Sequence, residues 1–156
     1  MVVRLTDDEI EKLLRERKIL PADFRQRLSL KAKRGHKERE LDVIGESGSE
    51  FRILLRQSDA NPLNFSVILA YRVPGSNQFF RLRRYNGSHE HTNRLEGVRM
   101  DDFHVHTATE RYQDSGLRED AFASPSDRYA DLPGALDCLL QDCGFEVPGR
   151  SQFEMF

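Results

Sequence analysis

Four of the five histidines fall within 18 residues, as His89-Glu90-His91 and His104-Val105-His106. Arg81, Arg83, Arg84 and Tyr85 precede them, and Glu110, Arg111 and Tyr112 follow. Splitting RNA at a phosphodiester needs a base for the 2′-hydroxyl proton and an acid for the leaving 5′-oxygen. Imidazole serves both roles because its ordinary pKa is near 6.5. Guanidinium groups then hold charge that builds on the phosphoryl oxygens. His104 and His106 are the leading acid/base candidates, with His89 and His91 supplied by the preceding segment. Arg81, Arg83, Arg84 and Arg111 are candidate phosphate contacts, and Tyr85 a candidate for stacking on a base or donating a proton.

The same residues admit two other readings. His-x-His on a strand points both rings one way, with Cα atoms ~7 Å apart, so His104 and His106 suit a divalent metal such as zinc. A third ligand would come from His89, His91, Asp101, Asp102 or Glu110. The plain alternative is that histidines on an exposed strand and loop are solvated filler. No cofactor is required by the metal-free chemistry.

The elements that must position these groups follow from periodicity. Thr6 with Glu9 fits a capping box, and Ile10, Leu13 and Leu14 predict a helix over 7–18 ended by Pro21. From Arg27 the period falls to 2. Strands are expected over 28–33, 40–43, 51–56, 65–73, 79–85 and 103–107, separated by Gly-, Ser-, Asn- and Pro-containing turns. A short helix is expected from Thr109 to Gln113. Residues 86–101 and 115–128 read as irregular. Asp131, Pro133 and Gly144 bound a last helix with an apolar stripe of Leu132, Leu136, Leu139, Leu140 and Cys143. The expected fold is α+β: a mainly antiparallel six-stranded meander sheet with an N-terminal and a C-terminal helix. One domain is expected over 1–148, with a frayed tail over 149–156. Alternation assigns Phe51, Ile53, Leu55, Val67, Leu69, Phe80 and Leu82 to the core. It places Arg52, Arg56, Arg72, Arg81, Arg83 and Tyr85 on the other face, joined there by His104 and His106 while Phe103 and Val105 face inward.

The chain has 156 residues, 38% hydrophobic and 32% charged, with a net charge of −2. No apolar run approaches the ~20 residues of a spanning helix, so no membrane partner is expected. The first residues lack the apolar core of a secretory signal. Cys138 and Cys143 are only two, both on the apolar stripe, and a cytoplasmic protein is expected. The net charge hides an asymmetry: residues 1–100 carry 20 Lys/Arg against 14 Asp/Glu, and residues 101–156 carry 4 against 12. A basic face for an anionic ligand, shielded by an acidic C-terminal segment, is one reading; two solvated surfaces is the other. Phosphate-binding Gly-rich loops and the two His-x-Thr/Ser repeats of two-histidine phosphoesterases are missing.

Arg83-Arg84-Tyr85-Asn86, then His89-x-His91, then Phe103-His104-x-His106 resembles the pattern of the TumE-like toxins of bacterial toxin–antitoxin systems, over about residues 79–107. Asn86-Gly87 stands where those toxins have Asp-Asn, and His89-Glu90-His91 where they have adjacent histidines. Over most of its length the chain also resembles a bacterial family of uncharacterised proteins with a similar Arg-Gly-His-Lys turn and His-Val-His-x-Ala-Thr-Glu-Arg-Tyr strand. The toxin resemblance implies a sheet-based, RNA-directed toxin or defence component, a ribonuclease in activity, with RNA and a cognate antitoxin as partners. The rival from another class is a non-enzymatic regulator or interaction protein, bacterial or phage, that binds through its charged face. RNA fragmentation favours the first, and a stable complex with an unaltered partner the second.

Overall fold

Thr6 opens the first helix as the sequence predicts: its hydroxyl accepts from the Glu9 amide while the Glu9 carboxylate accepts from the Thr6 amide. In the computed structural model, which describes residues 3–148, α1 (Asp7–Arg15) buries Ile10 and Leu14. The chain then runs β1 (Lys18–Ile19), α2 (Phe24–Arg27), β2 (Lys31–Ala32), β3 (His36–Ile44), β4 (Glu50–Ser58), β5 (Phe65–Arg72) and β6 (Phe79–Asn86). It continues through β7 (His91–Asn93), β8 (Val98–Met100), β9 (His104–Thr107), α3 (Glu110–Asp114), β10 (Phe122–Pro125), α4 (Leu132–Asp142) and β11 (Phe145–Glu146). The tail expected over 149–156 lies outside the described residues.

The fold is α+β, and its main sheet is antiparallel, in the order β10-β9-β6-β5-β4-β3-β2. That is seven strands rather than the expected six. The addition is β10, whose Ser-Pro end reads as a breaker in sequence but suits an edge strand. Residues 86–101, expected to be irregular, hold the β7–β8 hairpin. No described helix is long and apolar enough to cross a membrane.

One sheet face packs on α1 and α4, and all seven predicted core residues of the central strands are buried there. Asp131 caps α4 by accepting from the Gly134 amide, with Pro133 in the first turn. The parallel pair β1–β11 ties the ends of the two helices together. Cys138 and Cys143 are free and buried in this layer.

The phase of β6 departs from the simple alternation. Leu69 pairs with Arg83 but Ala70 pairs with Arg81, so Leu82 is an extra residue, a bulge. Beyond it the faces exchange. Arg83 and Tyr85, expected outside with Arg81, turn to the core side. Arg84 and Asn86 turn to the outer face, opposite His106 and His104 on β9.

Candidate functional site

The histidine cluster is assembled on the outer face by three segments. β9 presents His104 and His106 there because Phe103 and Val105, one residue out of phase, pack on the core. The β6–β7 connection supplies His89, and β7 lays His91 over the pair. Ring centroids lie 4.5 Å apart for His91 and His106, 5.0 Å for His104 and His106, 5.2 Å for His89 and His104, and 5.6 Å for His91 and His104. The expected face is therefore right for His104 and His106, but it is covered: both are buried, at 0% and 1% exposure.

Hydrogen bonds fix the tautomers. His104 and His106 each donate from Nδ1 to a backbone carbonyl, Asp102 and Asp120 respectively, both at 2.7 Å. That leaves each Nε2 with a lone pair. The Asn86 amide, held by Ser66 Oγ on its oxygen, points Nδ2 at His89 Nε2 (3.0 Å) and His104 Nε2 (3.4 Å). His106 Nε2 is buried without a partner. Asn93 is clamped by β10: its Oδ1 accepts from the Ala123 amide and its Nδ2 donates to the Ala123 carbonyl. His91 must therefore donate from Nε2 to Asn93 Oδ1 (2.9 Å), which leaves the lone pair on Nδ1.

Burial, with Arg84 and the neighbouring rings, sets the charge state. Desolvation is the main cause in each case, holding His104 down to about 4 and His106 to about 2, with His89 lowered as well. Arg84 is itself lowered by burial and is balanced by Asp120, whose carboxylate lies 3.1 Å from Arg84 Nε with no exposure to solvent. Because the native state keeps His104 and His106 neutral, the unfolded chain binds more protons below ~6.5. Stability is thus complete above that pH and declines as pH falls toward about 4, with the His106 contribution declining further. Each histidine adds at most ~1.4 kcal/mol per pH unit to that slope. Urea midpoints at pH 7 and pH 5 should show a shallower loss in His106→Gln than in wild type; equal slopes would remove His106 as a source.

His91, part-buried like His89, is the cluster histidine that lines an open cleft. It lines a cleft of about 620 Å³ with Arg84, Glu90, Thr92, Arg94, Arg118 and Asp120. Glu90 is engaged by Arg99 and Asp120 by Arg84, whereas Arg94 and Arg118 form no ion pair among the described residues. Arg81 and Arg118 lie close enough to Arg84 to lower its pKa further.

The structure thus brings together His89, His91, His104, His106 and Arg84, with Arg81 nearby on the same face. It does not bring Arg83, Tyr85 or Arg111. Tyr85 is buried in the core, donates to Asp142 Oδ2 at 2.6 Å and accepts from Arg83 at 3.3 Å. Asp142 is also held bidentately by Arg128, so this network closes the end of α4. Arg111 pairs with Glu96 and does not line the cleft. Among the described residues, no three His, Cys, Asp or Glu side chains are placed to hold a metal ion. Asn86, Asn93, Asp120, Arg94 and Arg118 escape a reading by residue pattern. Asn86 has the one usable signal, its place at the end of the Arg-rich strand. Compared with protein-family models, curated proteins and solved structures, the chain matches none.

Proposed function

We propose that this protein is an RNA-directed, phosphodiester-cleaving toxin or defence component whose reaction takes place in the His91 cleft. The observation that carries this reading is His91, its Nδ1 lone pair free, beside Arg84 and the unpaired Arg94 and Arg118. His91 takes the 2′-hydroxyl proton as the 2′-oxygen attacks phosphorus. The bond to the 5′-oxygen breaks, leaving a 2′,3′-cyclic phosphate, and the departing oxygen takes a proton from solvent in the cleft. The arginines hold the charge on the non-bridging oxygens. His104 and His106, neutral and buried, hold the His91 ring in place by packing against it.

The test is purified protein on end-labelled RNA, with the product ends identified. Cyclic-phosphate termini are expected from RNA and no product from the same sequence as DNA, which lacks the nucleophile. Binding should weaken steeply with salt, and Arg94→Ala with Arg118→Ala should reduce the logarithmic slope by about 1.4, or ~0.7 per lost phosphate contact on a single strand. Intact RNA after prolonged incubation, together with a stable complex of this protein and an unaltered protein partner, would replace the enzyme with a regulator.

A further inference from the structure

Six described arginines enter no ion pair: Arg34, Arg39, Arg56, Arg81, Arg94 and Arg118. Their placement is uneven. Arg94 and Arg118 line the His91 cleft, and Arg34 and Arg56 line a second cleft of about 380 Å³ with His36, Ser58, Asn64 and Ser66. Arg81 lies on the same outer face, and only Arg39 stands apart, donating to the Ser29 carbonyl. Glu38, directly opposite Arg56 on β3, is bonded by His36 Nε2 at 2.6 Å. Four of the six unpaired arginines therefore line two clefts; Lys12, Lys31, Lys33 and Lys37 also enter no ion pair among the described residues and line neither.

The two clefts share one face and one rim. Arg56 on β4 pairs with Ser66 on β5, Ser66 with Asn86 on β6, and Asn86 with His104 on β9. Directly opposed residues of antiparallel strands point the same way. Three strand spacings of ~4.8 Å set the Arg56 and His104 backbones ~14 Å apart. The β4–β5 loop is hydrogen-bonded to the segment leading to His91: Ser88 donates to the Leu63 carbonyl at 2.7 Å and Gly87 to the Phe65 carbonyl at 2.9 Å. Leu63 stands on that rim, 46% exposed, an apolar surface between two cationic clefts.

We infer that the two clefts form one track for single-stranded RNA, with Arg34 and Arg56 holding a phosphate upstream or downstream of the one at His91. This rests on the phosphodiester reading above and extends it to the substrate class. A phosphate held at Arg56 is too far from His91 to be the one cleaved, so the ligand carries several phosphates. A flexible strand follows the face between the clefts and can lay a base on Leu63, whereas a rigid duplex rides on the loops that wall them.

The test measures binding by fluorescence anisotropy, using a labelled 2′-O-methyl hexanucleotide that cannot be cleaved, a 2′-O-methyl dinucleotide and a 2′-O-methyl duplex. Arg34→Ala with Arg56→Ala should weaken hexanucleotide binding about tenfold near 0.15 M salt, the worth of two single-strand phosphate contacts. It should leave the dinucleotide affinity in place, and the wild type should prefer the single strand to the duplex. Unchanged hexanucleotide affinity in that variant, or a preference for the duplex, overturns the track. If Arg94→Ala with Arg118→Ala still weakens binding and lowers its salt slope, the His91 reading survives that loss. Wild-type protein that neither binds nor cleaves any RNA removes both.

Discussion

Replacing His91 by Gln is expected to slow RNA cleavage by ~10²–10⁴-fold, the usual worth of a positioned proton-transfer group. Gln keeps a donor for Asn93 Oδ1 and about the same reach, so the hairpin stays clamped to β10 through Asn93. His91 is only half-buried, so the substitution should change stability by less than ~0.5 kcal/mol. The contrast is with His106→Gln. That side chain is buried, donates to the Asp120 carbonyl and supports the His91 ring at 4.5 Å. Its loss should cost both stability and rate, because it acts through packing. Single-turnover cleavage of labelled RNA, beside urea unfolding of the same samples, separates the two. A His91→Gln protein that cleaves at the wild-type rate would take proton transfer away from His91 and with it the proposed reaction.

The residues that meet in the cluster are legible because histidine is rare and its spacing is unusual; their surroundings are not. A strand's period of 2 places His104 and His106 opposite Phe103 and Val105, and the structure agrees. The same rule fails on β6, where the Leu82 bulge sends Tyr85 and Arg83 inward and brings Arg84 out. A bulge leaves little trace in a run such as Phe79-Phe80-Arg81-Leu82-Arg83-Arg84-Tyr85, since a second arginine follows the first. Burial of the histidines is invisible for another reason. The cover is made by polar stretches, 86–101 and 115–125, that have no periodicity of their own and fold because Asn93 bonds the Ala123 backbone. The charge asymmetry, by contrast, reads through to contacts: Asp120, Asp137 and Asp142 of the acidic segment pair with Arg84, Arg25 and Arg83 of the basic one. What they leave unpaired at the two clefts emerges only once partners are known.

Lys18 shows the same limit in the core, and its replacement should give the largest stability change. The sequence places it at the end of a solvated helix. In the structure α1 stops at Arg15, and Lys18 is fully buried. Its Nζ donates to the carbonyls of Leu13 (2.8 Å), Leu14 (3.2 Å), Glu16 (2.8 Å) and Cys143 (2.7 Å), which are the orphan acceptors at the ends of α1 and α4. The amine also lies 4.4 Å from the centre of the Phe51 ring. Burial pulls its pKa down to about 8, so it still faces those carbonyls as an ammonium at neutral pH. The junction has no slack: Gly144 has a φ of 75°, and a Cβ there would stand 2.8 Å from the Glu16 carbonyl oxygen. Lys18→Met keeps the stem but leaves these acceptors without a donor or water. Each buried orphan costs ~1–3 kcal/mol, partly offset because no ammonium is desolvated, and the expected net loss is about 3 kcal/mol. For a chain of this size that is a fall of roughly 6–12 °C in Tm. Cleavage measured well below the new midpoint should be nearly unaffected, since Lys18 lies on the core side of the sheet. Calorimetry showing Lys18→Met as stable as wild type would mean that the two helix ends hold without their shared donor.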